Sequence, residues 1–200
     1  DQLPKAIDGL ANSTAGGQLR FRTNSTSIHL NVKLAAASNM YHMPATGQCG
    51  FDLYIGHGPN AVYHRTTRFE RDDVAYECPI FESNSAEMRA FTINFPLYQG
   101  VKALKVGVDG DAVVRKPELP EKPLVESNVN GCVVAYGTSI TQGGCASRPG
   151  LAYTNIISRI LDTEVINLGF SGSGRGEPEV IKAMSKVPNP SFFILDYEAN

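Results

Sequence analysis

The sequence lacks most features that would assign it quickly to a class of protein. It has no apolar run near the roughly 20 residues that a membrane helix needs, and no repeat at a solenoid or propeller period. Its 18 Lys and Arg residues and 20 Asp and Glu residues leave a net charge of −2 without a basic face. We therefore expect neither nucleic acid nor a membrane as a partner.

Cysteine is scarce as well. The four cysteines show no CxxC spacing, so we expect no metal site, and we expect no cofactor. Cys49 and Cys78 could form a disulfide in a secreted protein, or all four could be free, small apolar side chains. The chain begins at Asp1 without a signal peptide, from which we expect a processed or shortened form whose targeting segment is lost. Separately, we expect the protein to be periplasmic or extracellular.

Residues 1–114 show the alternation of apolar and polar side chains that is typical of half-buried strands. In residues 28–34, Ile, Leu, Val and Leu alternate with His, Asn and Lys. Further predicted strands, separated by clusters of Gly, Pro, Asn and Asp, are Leu19–Arg22, Phe51–Ile55, Ala61–Phe69, Glu87–Phe95 and Val101–Asp109. Short strands with regular turn signals predict a β-sandwich.

The pattern changes after residues 115–127, whose three prolines and mixed charges predict a stiff linker. Residues 128–200 alternate strands with helices, an order that predicts right-handed crossovers and a parallel sheet. The predicted strands are Cys132–Tyr136, Glu164–Leu168 and Ser191–Tyr197. The last strand is nearly all apolar, which is typical of a strand covered on both faces. In a three-stranded sheet it would be an exposed edge, so we expect a further C-terminal segment or a partner chain to cover it.

Both predicted helices carry apolar faces. The first, Arg148–Leu161, is expected to begin near Ser147 and Pro149. Its buried face is expected to comprise Ala152, Tyr153, Ile156, Ile157, Ile160 and Leu161. The second, Glu177–Lys186, is expected to bury Val180, Ile181 and Met184.

Three loops follow the carboxyl ends of the predicted parallel strands, at residues 137–139, 171–173 and 198–200. Ligands bind beyond that edge of open parallel sheets, so we expect these loops to converge. The Ser139 hydroxyl would attack an ester carbonyl. The N–H groups of Ser139 and Gly172 and the side-chain amide of Asn200 would hold the oxyanion, at about 3–4 kcal/mol of barrier per donor. These groups suit acyl transfer.

Three other interpretations stay open. Ser139 could simply cap a helix or turn. Gly172–Gly176 lies between a strand and a helix, 20 residues before Asp196, and loosely matches a dinucleotide-binding fingerprint, although its spacing is GxGxG. The β-sandwich could be a carbohydrate-binding module on a non-catalytic scaffold. Its candidate stacking residues would be Tyr41, Tyr54, Tyr63, Tyr76 and Tyr98, since the chain has no Trp.

The strand ends resemble the signature blocks of the SGNH (GDSL-type) hydrolases. Tyr136–Thr141 resembles the first block, with Thr138 where the name motif has Asp. Asn167–Gly172 resembles the second block and Asp196–Asn200 the third. Segments similar to those of family members with an N-terminal β-sandwich are Gly17–Ser25, Gly50–Tyr54, Phe95–Tyr98 and Thr141–Gly150.

The resemblance implies a fold and a substrate class. The fold would be a jelly-roll-like β-sandwich, followed by the first part of a flavodoxin-like, three-layer α/β/α domain with a parallel sheet. The activity would be that of a serine esterase with Ser139 as nucleophile and Gly172 and Asn200 as oxyanion donors. Its substrate would be an acylated, especially acetylated, carbohydrate or another small ester.

One block of the family is missing from the 200 residues. The Asp-x-x-His block, which would supply the general base and its orienting carboxylate, does not occur. The four histidines lie in the predicted β domain, at His29, His42, His57 and His64. A serine without a base within hydrogen-bond reach is a poor nucleophile. We therefore expect this chain alone to be inactive or nearly so.

Overall fold

The computed structural model of the chain describes residues 3–118 and 131–200. The helices are α1 (Lys5–Leu10), α2 (Ala45–Gln48), α3 (Ser139–Gln142), α4 (Tyr153–Leu161) and α5 (Pro178–Met184). The strands are β1 (Gln18–Thr23), β2 (Ser27–Leu34), β3 (Asp52–Ile55), β4 (Val62–Thr66), β5 (Ala75–Glu82), β6 (Arg89–Asn94), β7 (Val101–Val108), β8 (Val114–Arg115), β9 (Cys132–Gly137), β10 (Glu164–Gly169) and β11 (Pro190–Asp196). The predicted fold class, an all-β unit followed by an α/β unit, is confirmed.

The β unit is a sandwich of two antiparallel sheets. One has the strand order β4-β3-β6-β1-β8 and the other β5-β2-β7. Strand β2 shows why they pack face to face, since its apolar residues are buried and the polar residues between them are exposed. One core joins the two sheets; among its members are Phe21, Phe51, Phe91, Leu30 and Ile80.

Strand β5 is not among the strands predicted from the sequence, and it contains Pro79. Proline lacks an N–H and is confined to edge strands, first positions and bulges. Here β5 is the edge of the three-stranded sheet, and the register shifts next to the pair of His29 and Pro79. An edge position with an irregular register therefore accommodates a residue that argued against a strand.

The α/β unit is built on a parallel sheet with the order β10-β9-β11. Strand β9 is central and fully buried. Its residues alternate between faces, because Val134 and Tyr136 share a core with α5, whereas Val133 and Ala135 share one with Ile157 of α4. Helices on both faces make the three layers that the resemblance implied.

The N-terminal helix α1 contributes to the second unit rather than to the sandwich. Ile7 is buried in the core that contains Val134, Tyr136 and Val180. The division into residues 1–114, 115–127 and 128–200 stays a prediction, and most of the proposed linker lies outside the described residues. Within that linker, Arg115 pairs with Arg22 as part of β8.

Helix α4 differs from its prediction in start and in orientation. Pro149–Leu151 forms a short 3-10 turn, and Ala152 has an extended ψ of 135°, so the α-helix begins at Tyr153. The expected burial of the apolar face is wrong at Ile160 and Leu161, which are exposed. Helix α4 instead buries a polar face of Thr154, Asn155 and Ser158.

Hydrogen bonds explain that polar face. Arg20 of β1 donates to the Ser158 hydroxyl at 2.8 Å, and that hydroxyl donates to the Thr163 carbonyl at 2.7 Å. Asn167 of β10 donates to the Thr154 hydroxyl at 2.9 Å. Buried polar groups are tolerated when paired in this way. In α5, Val180 and Met184 are buried as predicted, but Ile181 is exposed.

Strand β11 is an exposed apolar edge. It pairs with β9 on one side, and Phe192, Phe193 and Leu195 are 52%, 48% and 56% exposed. The expectation of a strand buried on both faces does not hold among the described residues, whereas the expected exposed edge does. No helix in residues 3–118 or 131–200 is long and apolar enough to cross a membrane.

A buried carboxylate joins the two units. Asp52 of β3 is fully buried and accepts hydrogen bonds from Asn94 and from the Gly150 N–H, both at 2.8 Å. Arg148 lies 3.4 Å from the same carboxylate and donates to the Tyr54 hydroxyl at 2.8 Å. Burial raises the pKa of Asp52, and these hydrogen bonds and the nearby guanidinium oppose that rise. The contact fixes the segment that follows α3 against the sandwich.

Candidate active site

Three strands of the parallel sheet end together. Gly137 of β9 pairs with Gly169 of β10 and with Asp196 of β11. The loop after β10 packs directly on this edge, because a Cβ on Gly174 would lie 2.2 Å from the Gly137 carbonyl oxygen. The segments that carry Ser139, Gly172 and Asn200 therefore leave the same edge of the sheet, as their strand-end positions predict.

Ser139 is the first residue of α3 and is half-buried. Thr138, in an extended conformation, caps this helix by accepting a hydrogen bond from the Ile140 N–H. Thr138 therefore caps α3, and the interpretation of Ser139 as the capping residue is wrong. Within the described residues, neither the N–H nor the hydroxyl of Ser139 has a hydrogen-bond partner, so both are free to meet a substrate.

Gly172 occupies the position of a turn that favours glycine. The Ser173 N–H donates to the Phe170 carbonyl at 2.9 Å, and Gly172 has a φ of +72°, as the third residue of a type II turn requires. A Cβ there would meet nothing within 4 Å, so conformation rather than crowding favours glycine. Its N–H has no hydrogen-bond partner in residues 3–118 and 131–200, so it is free to donate to a substrate.

Asn200 reaches the loop after β10. Its side-chain amide donates to the Ser173 carbonyl, one residue beyond Gly172. The structure thus places an exposed carboxamide against the turn that carries the Gly172 amide. Two free backbone donors and one side-chain donor at one strand edge are the groups that an oxyanion needs.

Two polar links that sequence reasoning missed hold this edge together. The Thr141 hydroxyl donates to Asp196 at 3.2 Å and shares a hydrogen bond with the Tyr153 hydroxyl at 2.9 Å. Burial raises the pKa of Tyr153, which keeps its hydroxyl protonated. The end of β11 is therefore tied to α3 and α4 through one threonine.

The loop between β10 and α5 is stabilised by the carboxylate of Glu177, the residue that precedes α5. Glu177 accepts hydrogen bonds from the N–H groups of Gly174 at 3.1 Å and Arg175 at 3.0 Å, and from the Tyr136 hydroxyl. The Gly176 N–H donates to that hydroxyl at 2.6 Å. Burial would raise the pKa of Glu177, but these hydrogen bonds outweigh it and lower the pKa.

This arrangement argues against dinucleotide binding. A glycine-rich turn binds pyrophosphate through free amides and favourable dipoles, whereas the amides of residues 174–176 already serve Glu177 and Tyr136. Arg175 is exposed and donates to the Gly172 carbonyl at 3.3 Å, so it lies beside the candidate oxyanion donor.

The tyrosines of the sandwich do not form a sugar-stacking surface. Tyr54 and Tyr76 are buried, and Tyr98 contacts the Ser139 carbonyl at 3.3 Å. Tyr63 is 41% exposed, but the Arg148 guanidinium lies over one face of its ring, 4.0 Å from the ring centre. Among the five candidates, Tyr41 alone projects freely, with 93% of its surface exposed. Stacking on a glycan needs more of these ring faces to be free than the structure provides.

No base is found for Ser139 within the described residues. His57 pairs with Asp162 at 3.1 Å, and His64 packs against Phe81. None of the four histidines makes a hydrogen bond to Ser139 in residues 3–118 and 131–200. The same residues contain no group of three or more His, Cys, Asp or Glu side chains placed to hold a metal ion.

The cysteines are free thiols. Cys49, Cys78 and Cys132 are buried, and Cys145 is exposed. Burial raises the pKa of Cys49 to about 11, so this thiol stays protonated and packs in the sandwich core as a small apolar side chain.

Comparison with known proteins identifies the family. The N-terminal domain model of SGNH-hydrolase-type esterases, called GxDLY, matches residues 1–114, and Gly50–Tyr54 is its motif. A model of the GDSL-like lipase/acylhydrolase family matches residues 130–200. The chain belongs to the SGNH-hydrolase-type esterases, and the family suggested by its motifs is confirmed.

Solved structures share the fold. A Bacteroides ovatus protein assigned as a GDSL-like lipase is 30% identical with a TM-score of 0.85, over 96% of this chain and 54% of its own. A salicylyl-acyltransferase from a tetracycline biosynthetic pathway is 17% identical with a TM-score of 0.71, over 96% of this chain and 50% of its own. The present chain spans about half the length of these two structures.

A third structure is a carbohydrate esterase. The family two carbohydrate esterase from Clostridium thermocellum, solved with cellohexaose, is 13% identical with a TM-score of 0.53, over 80% of this chain and 46% of its own. At this identity the likeness concerns the fold. No curated protein matches the chain in sequence.

Proposed function

We propose that the protein is a serine esterase that hydrolyses acyl esters, with acetylated carbohydrates as the favoured substrate class. The observation that carries the proposal is the pair of unpaired amides, of Ser139 and Gly172, beside the Asn200 carboxamide at one strand edge. The family supports ester hydrolysis. The carbohydrate esterase with the same fold motivates the choice of a carbohydrate, and a periplasmic or extracellular location would suit such a substrate.

The proposed reaction has two steps. The Ser139 hydroxyl attacks the ester carbonyl, a general base takes its proton, and the negative charge on the carbonyl oxygen is held by the two amides and the Asn200 side chain. The tetrahedral intermediate then expels the sugar hydroxyl, which receives the proton, and leaves an acyl-serine. Water hydrolyses that ester by the same steps, releasing acetate and Ser139.

The base is proposed to come from outside these 200 residues. The histidines present make other contacts, and a serine without a base is a weak nucleophile. We therefore propose that the chain alone turns over esters poorly compared with the full-length protein. A rate near that of the full-length protein, abolished by Ser139→Ala, would overturn this point.

Turnover of p-nitrophenyl acetate and of an acetylated cello-oligosaccharide by the full-length protein tests the function. Ser139→Ala should lower kcat on the order of 10⁶-fold, because removing the nucleophile leaves only the oxyanion donors and binding. Ser185→Ala is the matched control, since this serine follows α5, whose last residue is Met184, and its kcat should not change. A Ser139→Ala variant with the wild-type rate would contradict the proposal.

A further inference from the structure

Gln142, the last residue of α3, connects three separate segments of the chain. It is 1% exposed. Its side-chain N–H donates to the Leu97 carbonyl of the sandwich at 3.1 Å, and its side-chain oxygen accepts from the Ser171 N–H at 2.9 Å. Both ends of one buried amide are thus used, one toward the β unit and one toward the loop after β10.

The surroundings leave this amide little freedom. A Cβ on Gly169 would lie 2.0 Å from the Gln142 backbone nitrogen, and one on Gly143 would lie 2.8 Å from a Leu97 methyl group. Leu97 itself is fully buried. Close packing of this kind holds side chains in single conformations, so a movement of the Leu97 segment would be passed to Gln142.

The next residue of the sandwich makes a second contact with the same edge. The Tyr98 hydroxyl donates to the Ser139 carbonyl at 3.3 Å, and it also interacts with the Ser171 side chain. Burial raises the pKa of Tyr98, so the hydroxyl remains a donor. Residues 97 and 98 therefore contact both the nucleophile's backbone and the turn that carries Gly172.

The Ser171 amide matters because of its place in the turn. Ser171 is the second residue and Gly172 the third of the type II turn, and the peptide between them carries the Gly172 N–H. Holding the Ser171 N–H fixes the orientation of the turn and hence the direction of that amide. Oxyanion donors stabilise charge only when they are held in place before the reaction.

We propose that Gln142 is a positioning residue that sets the Gly172 amide relative to Ser139, and that the sandwich, through Leu97, holds Gln142. The β unit would then be part of the oxyanion machinery rather than a separate binding module. This inference rests on the proposed esterase function.

The test uses kinetics of the full-length protein. Gln142→Met keeps the length of the side chain and removes both hydrogen bonds. It should lower kcat about 10- to 100-fold, the cost of misplacing a catalytic group by about 1 Å, and should leave KM within about twofold. Exchange of the backbone amides of residues 169–176, followed by mass spectrometry, should become faster.

A matched control separates positioning from stability. Ser25, between β1 and β2, is also 1% exposed, and its hydroxyl donates to the Ser27 carbonyl at 2.6 Å and accepts from the Asp109 N–H at 2.9 Å. Ser25→Ala should lower the unfolding temperature and leave kcat unchanged.

A conservative variant, Gln142→Glu, should make the effect on kcat depend on pH. In Gln142→Glu a protonated carboxyl can donate to Leu97 and accept from Ser171, whereas a carboxylate would face the Leu97 carbonyl without a proton. Its kcat relative to wild type at the same pH should therefore rise as the pH falls, and the Gln142→Met ratio should stay constant.

The possible outcomes separate the positioning role of Gln142 from the proposed esterase function. A wild-type kcat in Gln142→Met, with Ser139→Ala inactive, would overturn the positioning role and leave the esterase proposal intact. The same loss of kcat in Ser25→Ala would also overturn it, since the effect would then be one of stability. Turnover that does not depend on Ser139 would overturn both.

Discussion

The two units of the molecule reach stability in different ways. The sandwich closes on itself, with a core that both of its sheets share. The α/β unit has two smaller cores, one on each face of β9, and leaves the apolar side chains of β11 about half exposed. A sandwich completes its core with two sheets, whereas a parallel sheet must be covered on both faces and at its edges.

The largest expected effect tests this difference directly. Phe91→Ala in the sandwich core should cost about 3–5 kcal/mol, because it removes a ring that is 1% exposed and leaves a cavity. Phe193→Ala in β11 of the 200-residue chain should cost about 1 kcal/mol or less, because half of that ring already meets water. Urea unfolding of both variants measures the two losses. Equal losses would show that β11 is as well packed as the sandwich.

The contact between the units should give an intermediate effect. Asp52→Asn keeps the side-chain shape but replaces one acceptor oxygen with an NH2 group, which would face either the Asn94 amide or the Gly150 N–H and Arg148. We expect a loss of about 2–3 kcal/mol in the free energy of unfolding. The control is Glu87→Gln, whose ion pair with Arg89 is largely exposed and should contribute less than about 1 kcal/mol. A loss no larger than the control's would mean that the Asp52 carboxylate does not help to hold the two units together.

The smallest effect is a pH dependence in the loop before α5. Because the pKa of Glu177 is lowered in the folded protein, its contribution is full above its ordinary value of 4.5 and is lost as the pH falls through the lowered one. Glu177→Gln should therefore lower the free energy of unfolding at pH 7 by about 1 kcal/mol or less, and the unfolding temperature should fall with it. The gap from wild type should close as the pH falls below 4.5 and through the lowered pKa. A gap that does not change with pH would contradict this account.

Local pattern predicted the strands well where it follows burial along the chain. The alternation in β2 matches one buried face, and the apolar run of β9 matches a strand buried on both faces. Pattern failed where a tertiary contact overrides it. Pro79 is accommodated at an irregular edge, and α4 turns Thr154, Asn155 and Ser158 inward because the sandwich and β10 supply their hydrogen-bond partners.

The same distinction applies to the candidate site. The shared edge of Ser139, Gly172 and Asn200 was predictable because parallel strands end together, so position in the chain implies position in space. Their catalytic roles stay predictions. Gln142 and Tyr98 were not, although their segments were noted for their family resemblance. Their contacts link residues 29 to 45 positions apart in the chain, and no periodicity encodes such pairs.

The most direct measurement is a crystal structure of the full-length protein after reaction with a phosphonate ester. The account predicts a phosphonyl group on the Ser139 hydroxyl oxygen. Its free oxygen should lie about 2.7–3.1 Å from the Ser139 and Gly172 nitrogens and the Asn200 side-chain nitrogen. An unmodified Ser139, or an adduct whose oxygen points away from the Gly172 amide, would contradict it.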